Sequence, residues 1–251
     1  MSTKVWAHRG ASAYAPENSL QAFQMAIDMK ADGIELDIYE TADGKLVIHH
    51  DNDIKRMTGG VEAKITETDF DTLRLYNFCG TWGDQFGFVK IPELNEVLDL
   101  FKNTDMMINV ELKQGSVNYL RAINAAVQAF DMQEQIIYSS FDHVKLYQMK
   151  KINPKADTAT LYGDPMYEPW CYGKMLGIKA VHPHYQQLYR YKEYDLDFVK
   201  NAHENGIEVN PWTANKEGII RFLARCGVDH IITDYPDVAL RIVSEVENET
   251  K

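Results

Sequence analysis

The chain has 251 residues, 45% hydrophobic and 25% charged, with a formal net charge of −11; this suits a soluble globular protein with a sizeable core and implies no disorder. So acidic a chain lacks the broad positive field that nucleic acid or an anionic membrane surface requires, and neither is an expected partner. Cys79, Cys171 and Cys226 are too few and too scattered for a disulfide framework or a zinc cluster, and no apolar run approaches a leader or a spanning helix; a cytoplasmic protein without stable membrane insertion is expected, and a homo-oligomer is left open.

A short apolar strand from Lys4 to His8 leads into a loop with Gly10 and Pro16. A helix opens near Asn18, where Asn18 and Gln21 have the spacing of a capping box and Leu20, Phe23, Ala26 and Ile27 share one face. Its expected end is Asp32-Gly33, with the glycine in the left-handed conformation that closes helices. The next strand, Gly33-Ile34-Glu35-Leu36-Asp37-Ile38, has two carboxylates set two residues apart. Alternation along a strand places Glu35 and Asp37 on one face and the aliphatic residues on the other. Two adjacent like charges on a buried strand call for a cation, either a metal ion or a Lys/Arg partner.

Residues 40–91 interrupt the pattern with a hairpin strand, Lys45 to His49, turned at Asp43-Gly44, and a polar, Gly-rich stretch. That is too long for an ordinary connection and reads as a small cap inserted beside the main fold. Beyond it the spacing predicts a helix from Pro92, a strand 106–112, a helix 117–130, a strand 135–139, a helix 144–152 and a strand 158–161. A tyrosine-rich loop from Tyr162 follows, then a strand 178–181, a helix 196–202, strands ending at Trp212 and Thr233, and a closing helix 236–246. The glycine joint recurs at Asn205-Gly206 and Cys226-Gly227. About eight alternating units in one chain favour an α/β fold of the (β/α)8 TIM-barrel type, one domain over 1–251 with the cap insertion after the second strand, over an open doubly wound sheet.

In such a barrel, polar residues at the carboxyl ends of strands face the mouth. There the sequence supplies His8-Arg9, Glu35 and Asp37, His50-Asp51, Glu111 and Lys113, and later His182, Trp212 and Asp234. Glu35, Asp37 and Glu111 are hard oxygen donors suited to Mg²⁺ or Ca²⁺. Simple pairing with Arg9 and Lys113 is the bland alternative, but the acids outnumber those cations. His8 and His50 form the natural general acid/base pair, because imidazole exchanges protons near neutrality. Arg9 can grip phosphate oxygens as a fork, and Lys113 can add a point charge or pair with a barrel carboxylate. Trp212 could pack on an apolar or polyol group or serve the core. His182 and His184 read as structural or substrate-lining, and Asp234 as an N-cap before Pro236.

Taken in order, His8-Arg9-Gly10, Pro16-Glu17-Asn18, Glu35-Leu36-Asp37, His50-Asp51, Glu111-Leu112-Lys113, Trp212-Thr213 and Thr233-Asp234-Tyr235-Pro236 resemble the glycerophosphodiester phosphodiesterase family across nearly the whole chain. The resemblance implies a TIM barrel with a cap and a divalent metal on Glu35, Asp37 and Glu111. It further implies His8 and His50 as catalytic acid and base, Arg9 on phosphate, and hydrolysis of small-molecule glycerophosphodiesters to sn-glycerol 3-phosphate and an alcohol. His49, where the family usually has an aliphatic residue, and His230, where glycine is common, depart from the pattern outside its motifs. The alternatives are a lipid phosphodiesterase acting on lysophospholipids or sphingolipids and a non-catalytic phosphodiester-binding barrel.

Overall fold

The computed structural model describes residues 2–249; Met1, Thr250 and Lys251, at the ends of the expected domain, lie outside them. Eight parallel strands among the described residues form the barrel: β1 (Lys4–His8), β2 (Gly33–Glu40), β4 (Met107–Leu112), β5 (Ile136–Ser140), β6 (Asp157–Tyr162), β7 (Ala180–Pro183), β8 (Glu208–Val209) and β9 (His230–Thr233). The short β3 (Leu46–Ile48) runs antiparallel to the end of β2. Around the barrel, neighbours follow chain order, with β1 between β2 and β9. The seam between β8 and β9 is joined by backbone bonds from Asp229 N to Val209 O (3.0 Å) and Ile232 N to Pro211 O (3.1 Å). That closure rules out the open doubly wound alternative.

The helices are α1 (Leu20–Asp28), α2 (Phe70–Leu73), α3 (Leu94–Phe101), α4 (Val117–Ala129), α5 (His143–Ile152), α6 (Pro169–Leu176), α7 (Gln186–Glu193), α8 (Phe198–Glu204), α9 (Glu217–Cys226) and α10 (Pro236–Glu249). The alternation in β2 and β4 sorts their side chains. Ile34, Leu36, Ile38, Ile108, Val110 and Leu112 turn outward to meet Phe23 of α1, Val97 and Phe101 of α3, and Ile123 of α4. On the opposite flank Val5, Val181, Val209 and Ile231 meet Phe198, Ile220, Leu223 and Ile242 from α8, α9 and α10. Each such aliphatic or aromatic side chain taken fully out of water contributes roughly 1.5–3 kcal/mol. The barrel interior is filled by Trp6, Ile137, Ala159, Ala180 and Ile232, so it is a packed plug beneath a mouth at the carboxyl ends.

Several local expectations are replaced. Ser19, not Asn18, caps α1, its Oγ accepting from Ala22 N at 3.1 Å, and Asn18 sits in the left-handed region at φ 54°. The helix ends at Asp28, and Gly33 is instead the first residue of β2. A Cβ at Gly33 would fall 2.6 Å from Met107 O and 2.7 Å from the Trp6 ring, so this glycine admits the tryptophan rather than closing a helix. Gly227 does close α9, at φ 73°. The tyrosine-rich stretch contains two helices, α6 and α7.

Residues 49–93 lie between β3 and α3 and are mostly irregular, with α2 and two short 3₁₀ turns. Their own apolar cluster, including Ile54, Met57, Ile65, Leu73, Phe78 and Val89, packs on Tyr39 and Val47. This places His50, just after β3, beside the ends of β1, β2 and β4.

Candidate active site

Glu35 and Asp37 on β2 and Glu111 on β4 bring one carboxylate oxygen each within 4.8 Å of one another. The register explains it, since Asp37 pairs with Glu111 and His8 with Glu35. Asp37 is 1% exposed and Glu35 4%, so their charges are held almost without water. Lys113 Nζ lies 2.7 Å from Glu111 Oε1 and 3.2 Å from Asp37 Oδ1. Arg9 Nε lies 3.4 Å from Asp37 Oδ2, but its Nη1 is engaged by Glu17 Oε1 at 2.9 Å. Asn18, expected as a helix cap, donates its Nδ2 to Asp37 Oδ2 at 2.8 Å, and the Arg9 backbone N–H donates to Glu35 Oε2 at 3.0 Å.

The balance of these groups sets their protonation. Burial pushes the Glu35 carboxyl well above its usual range, with Asp37 and Glu111 adding to the effect. Burial and the Asp37 charge likewise bring Glu111 up to about 7. For Asp37 burial acts in the same sense, but Lys113 and Arg9 together outweigh it and hold the group below the usual carboxylate range. Two cations, one of them shared with Glu17, therefore cannot neutralise three carboxylates, and protons make up the deficit when nothing else does. Asp37 Oδ1 has the Lys113 ammonium, 3.2 Å away, as its neighbour but no well-aligned hydrogen bond. A closely spaced, oxygen-only, under-neutralised donor set fits a hard divalent cation.

Both histidines are held at Nδ1 by a carboxylate. His8 Nδ1 is 2.6 Å from Asp234 Oδ1, and His50 Nδ1 is 2.7 Å from Asp51 Oδ1. This arrangement fixes a ring's tautomer and leaves Nε2 for proton transfer; His8 Nε2 lies 3.9 Å from Glu35 Oε2. Asp234 is thus not the helix cap expected of it, since α10 starts at Pro236. Its Oδ2 accepts from Asn215 Nδ2 at 2.5 Å. Burial opposes the charged form of Asp234, but the His8 bond prevails and holds it below its usual range. Burial lowers His50. Arg56 reaches from the inserted segment to Asp51 and Glu17, tying both to the barrel mouth.

A cleft of about 90 Å³ is lined by His8, Arg9, Glu35, His50, Asn109, Glu111, Phe141, Leu161, Trp212, Thr213 and Ile232. The structure therefore gathers Arg9, Trp212, both histidines and two of the three acids around one cavity, while Lys113 Nζ is taken up by Asp37 and Glu111. Trp212 is held by an Nε1 bond to His182 O at 2.8 Å and stands edge-on to Phe141, centroids 5.5 Å apart. His182 is fully buried, its Nε2 accepting from Asn210 Nδ2 at 3.0 Å, and burial lowers it to about 3. Sequence reasoning places Asp51 and Asp234 at the mouth but not as the partners of His50 and His8, and it does not single out Asn109, Phe141 or Leu161. For Asn109 the signal was present, because it precedes Glu111 by two residues and so shares its face.

Fold and site together define a (β/α)8-barrel enzyme with an acidic, histidine-flanked mouth. The family model described as "Glycerophosphoryl diester phosphodiesterase family" matches residues 8–238. A glycerophosphodiester phosphodiesterase of Caldanaerobacter subterraneus subsp. tengcongensis is 33% identical over 97% of this chain and 98% of its own. One of Bacillus altitudinis is 32% identical over 98% and 100%. The crystal structure of a glycerophosphodiester phosphodiesterase from Agrobacterium tumefaciens superposes with a TM-score of 0.83 at 25% identity, covering 95% of this chain and 99% of that one. The chain belongs to the glycerophosphoryl diester phosphodiesterase family.

Proposed function

We propose that the protein hydrolyses small-molecule glycerophosphodiesters to sn-glycerol 3-phosphate and an alcohol, with Glu35, Asp37 and Glu111 holding a divalent cation, Mg²⁺ or Ca²⁺, and His8 and His50 exchanging protons. The observation that carries this reading is the pair of carboxylate-held histidines lining one cleft beside an under-neutralised carboxylate cluster. A cation bound there would polarise a phosphate oxygen and offset charge developing on it. The chain's own groups do the rest. Arg9, fixed by Glu17 and Asp37, binds phosphate oxygens through its remaining N–H donors. Lys113 holds Asp37 and Glu111 in place and keeps Asp37 ionised. One histidine takes a proton from the attacking oxygen at Nε2, and the other gives a proton to the departing alcohol. Trp212, with Phe141 and Leu161, offers an apolar wall to the carbon skeleton.

The same proposal places the enzyme in the cytoplasm, supported by its acidity and by Cys79, Cys171 and Cys226 being free; no described helix is long and apolar enough to cross a membrane. It also takes the chain as one barrel domain with residues 40–91 as a cap, supported by that segment's apolar cluster packing on β2 and β3. His8→Ala and His50→Ala test the assignment. Each is expected to cut release of sn-glycerol 3-phosphate from glycerophosphocholine by roughly 10²–10⁴-fold with an unchanged far-UV spectrum. Near-normal turnover in either variant would sink it.

A further inference from the structure

Within the cleft, the proposed roles leave the Asn109 side chain unused. Asn109 lies on β4 two residues before Glu111, on the same barrel-interior face, with its Cα in register with Glu35. It is 1% exposed and lines the cleft, and neither Oδ1 nor Nδ2 has a hydrogen-bond partner in the protein. On its other side the register partner is Ile137, part of the apolar plug with Trp6, Ala159, Ala180 and Ile232. The plug therefore supplies no partner, and the cleft is the side from which one can come. Leaving both ends of a buried carboxamide unpaired is costly, and native proteins rarely tolerate it without a ligand or water to pair with.

The chemistry of the missing partner follows from the carboxamide itself. A phosphate or carboxylate would use only its N–H donors, and a cation only its oxygen. A neutral hydroxyl uses both, donating to Oδ1 and accepting from Nδ2. We propose that Asn109 recognises a free hydroxyl on the alcohol esterified to phosphate, and so selects polyol phosphates over phosphates of simple alcohols. This rests on the reading that a glycerophosphodiester occupies the cleft. A site built to pair a hydroxyl also rejects analogues lacking it, because its buried polar atoms are then stranded.

The test is calorimetric titration of the Mg²⁺-loaded wild type, Asn109→Ala and Asn109→Ser with sn-glycerol 3-phosphate and with ethyl phosphate, which carries the phosphate but no free hydroxyl. Wild type is expected to prefer sn-glycerol 3-phosphate by about tenfold or more, and Asn109→Ala to lose most of that preference, as expected for one hydrogen-bonding partner removed. Ethyl phosphate and Mg²⁺ affinities should change less than about threefold, with Asn109→Ser intermediate. If Asn109→Ala weakens both phosphates equally, or weakens Mg²⁺, the residue only positions the carboxylates and the proposal is overturned. Absence of any preference in the wild type overturns it without recourse to a variant. Wild type that binds neither phosphate, and releases no sn-glycerol 3-phosphate from glycerophosphocholine, instead removes the underlying functional reading.

Discussion

Replacing Asp234 by Asn should disable His8 without disturbing the fold, because the hydrogen bonds around residue 234 decide which way an amide must point. Asn215 is locked: its Oδ1 accepts from the Asp234 backbone N–H (2.9 Å) and from Thr233 Oγ1 (3.2 Å), so its Nδ2 is what faces the Asp234 side chain, at 2.5 Å. An amide at 234 must therefore turn its oxygen to Asn215 and its NH₂ to His8 Nδ1. Nδ1 then has to accept, the ring proton moves to Nε2, and the nitrogen facing the cleft can no longer take a proton. The stabilising charge behind an imidazolium is lost as well. Loss of one acid/base group lowers turnover by roughly 10²–10⁴-fold, or about 3–5 kcal/mol of barrier. The assay is coupled detection of sn-glycerol 3-phosphate from glycerophosphocholine at saturating divalent cation. Asn215→Ala in the Asp234→Asn background frees the amide to flip and should restore activity by tenfold or more. Asp234→Asn within threefold of wild type, or no recovery in the double variant, would refute this reasoning.

Other outcomes follow from the same structure. Burial lowers both His182 and His230 to about 3, against about 6.5 in an unfolded chain. The unfolded state thus binds protons first, and stability is lost as pH falls from about 6.5 toward 3; at pH 5 the loss is on the order of 2 kcal/mol per histidine. The Tm should drop accordingly between pH 7 and 5, and less steeply in His230→Asn than in wild type. Gly33→Ala forces a Cβ against Met107 O and Trp6, which should cost about 1–3 kcal/mol or more in chemical denaturation. Lys113→Met leaves Asp37 and Glu111 without their shared ammonium. It should destabilise the protein by about 3–5 kcal/mol, and an unchanged denaturation midpoint would show that the pairing contributes little.

The barrel and the carboxylate cluster could be read in the sequence because both rest on period-two alternation. Glu35, Asp37 and Glu111 each stand two residues from another inward position, and the strand ends that carry them are marked by aliphatic runs. What could not be read depends on contacts between distant residues. Asn18 has the composition of a helix cap, yet its carboxamide is drawn to Asp37, and the adjacent Ser19 takes the capping role. Asp234 precedes a proline in a pattern typical of helix starts, but its carboxylate is claimed by His8, 226 positions earlier. Gly33 suggests conformational freedom in sequence, whereas it is its lack of a side chain that makes room for Trp6. Helices α6 and α7 escape period counting because Pro169–Leu176 and Gln186–Glu193 are short and rich in aromatic and polar residues, with few aliphatic side chains to mark a face. Their buried positions mix aromatic anchors, Trp170 and Tyr191, with Pro169, Gly173 and Gln187, a set that period counting weighs poorly.

The most direct measurement is the rate of sn-glycerol 3-phosphate release from glycerophosphocholine by wild type before chelation, after EDTA, and after readdition of Mg²⁺ or Ca²⁺. Activity should disappear with the chelator and return with the ion, and Glu111→Gln should weaken the ion's affinity in a direct titration. An undiminished rate in EDTA would contradict the assignment of Glu35, Asp37 and Glu111, and absence of sn-glycerol 3-phosphate under every condition would contradict the proposed reaction itself.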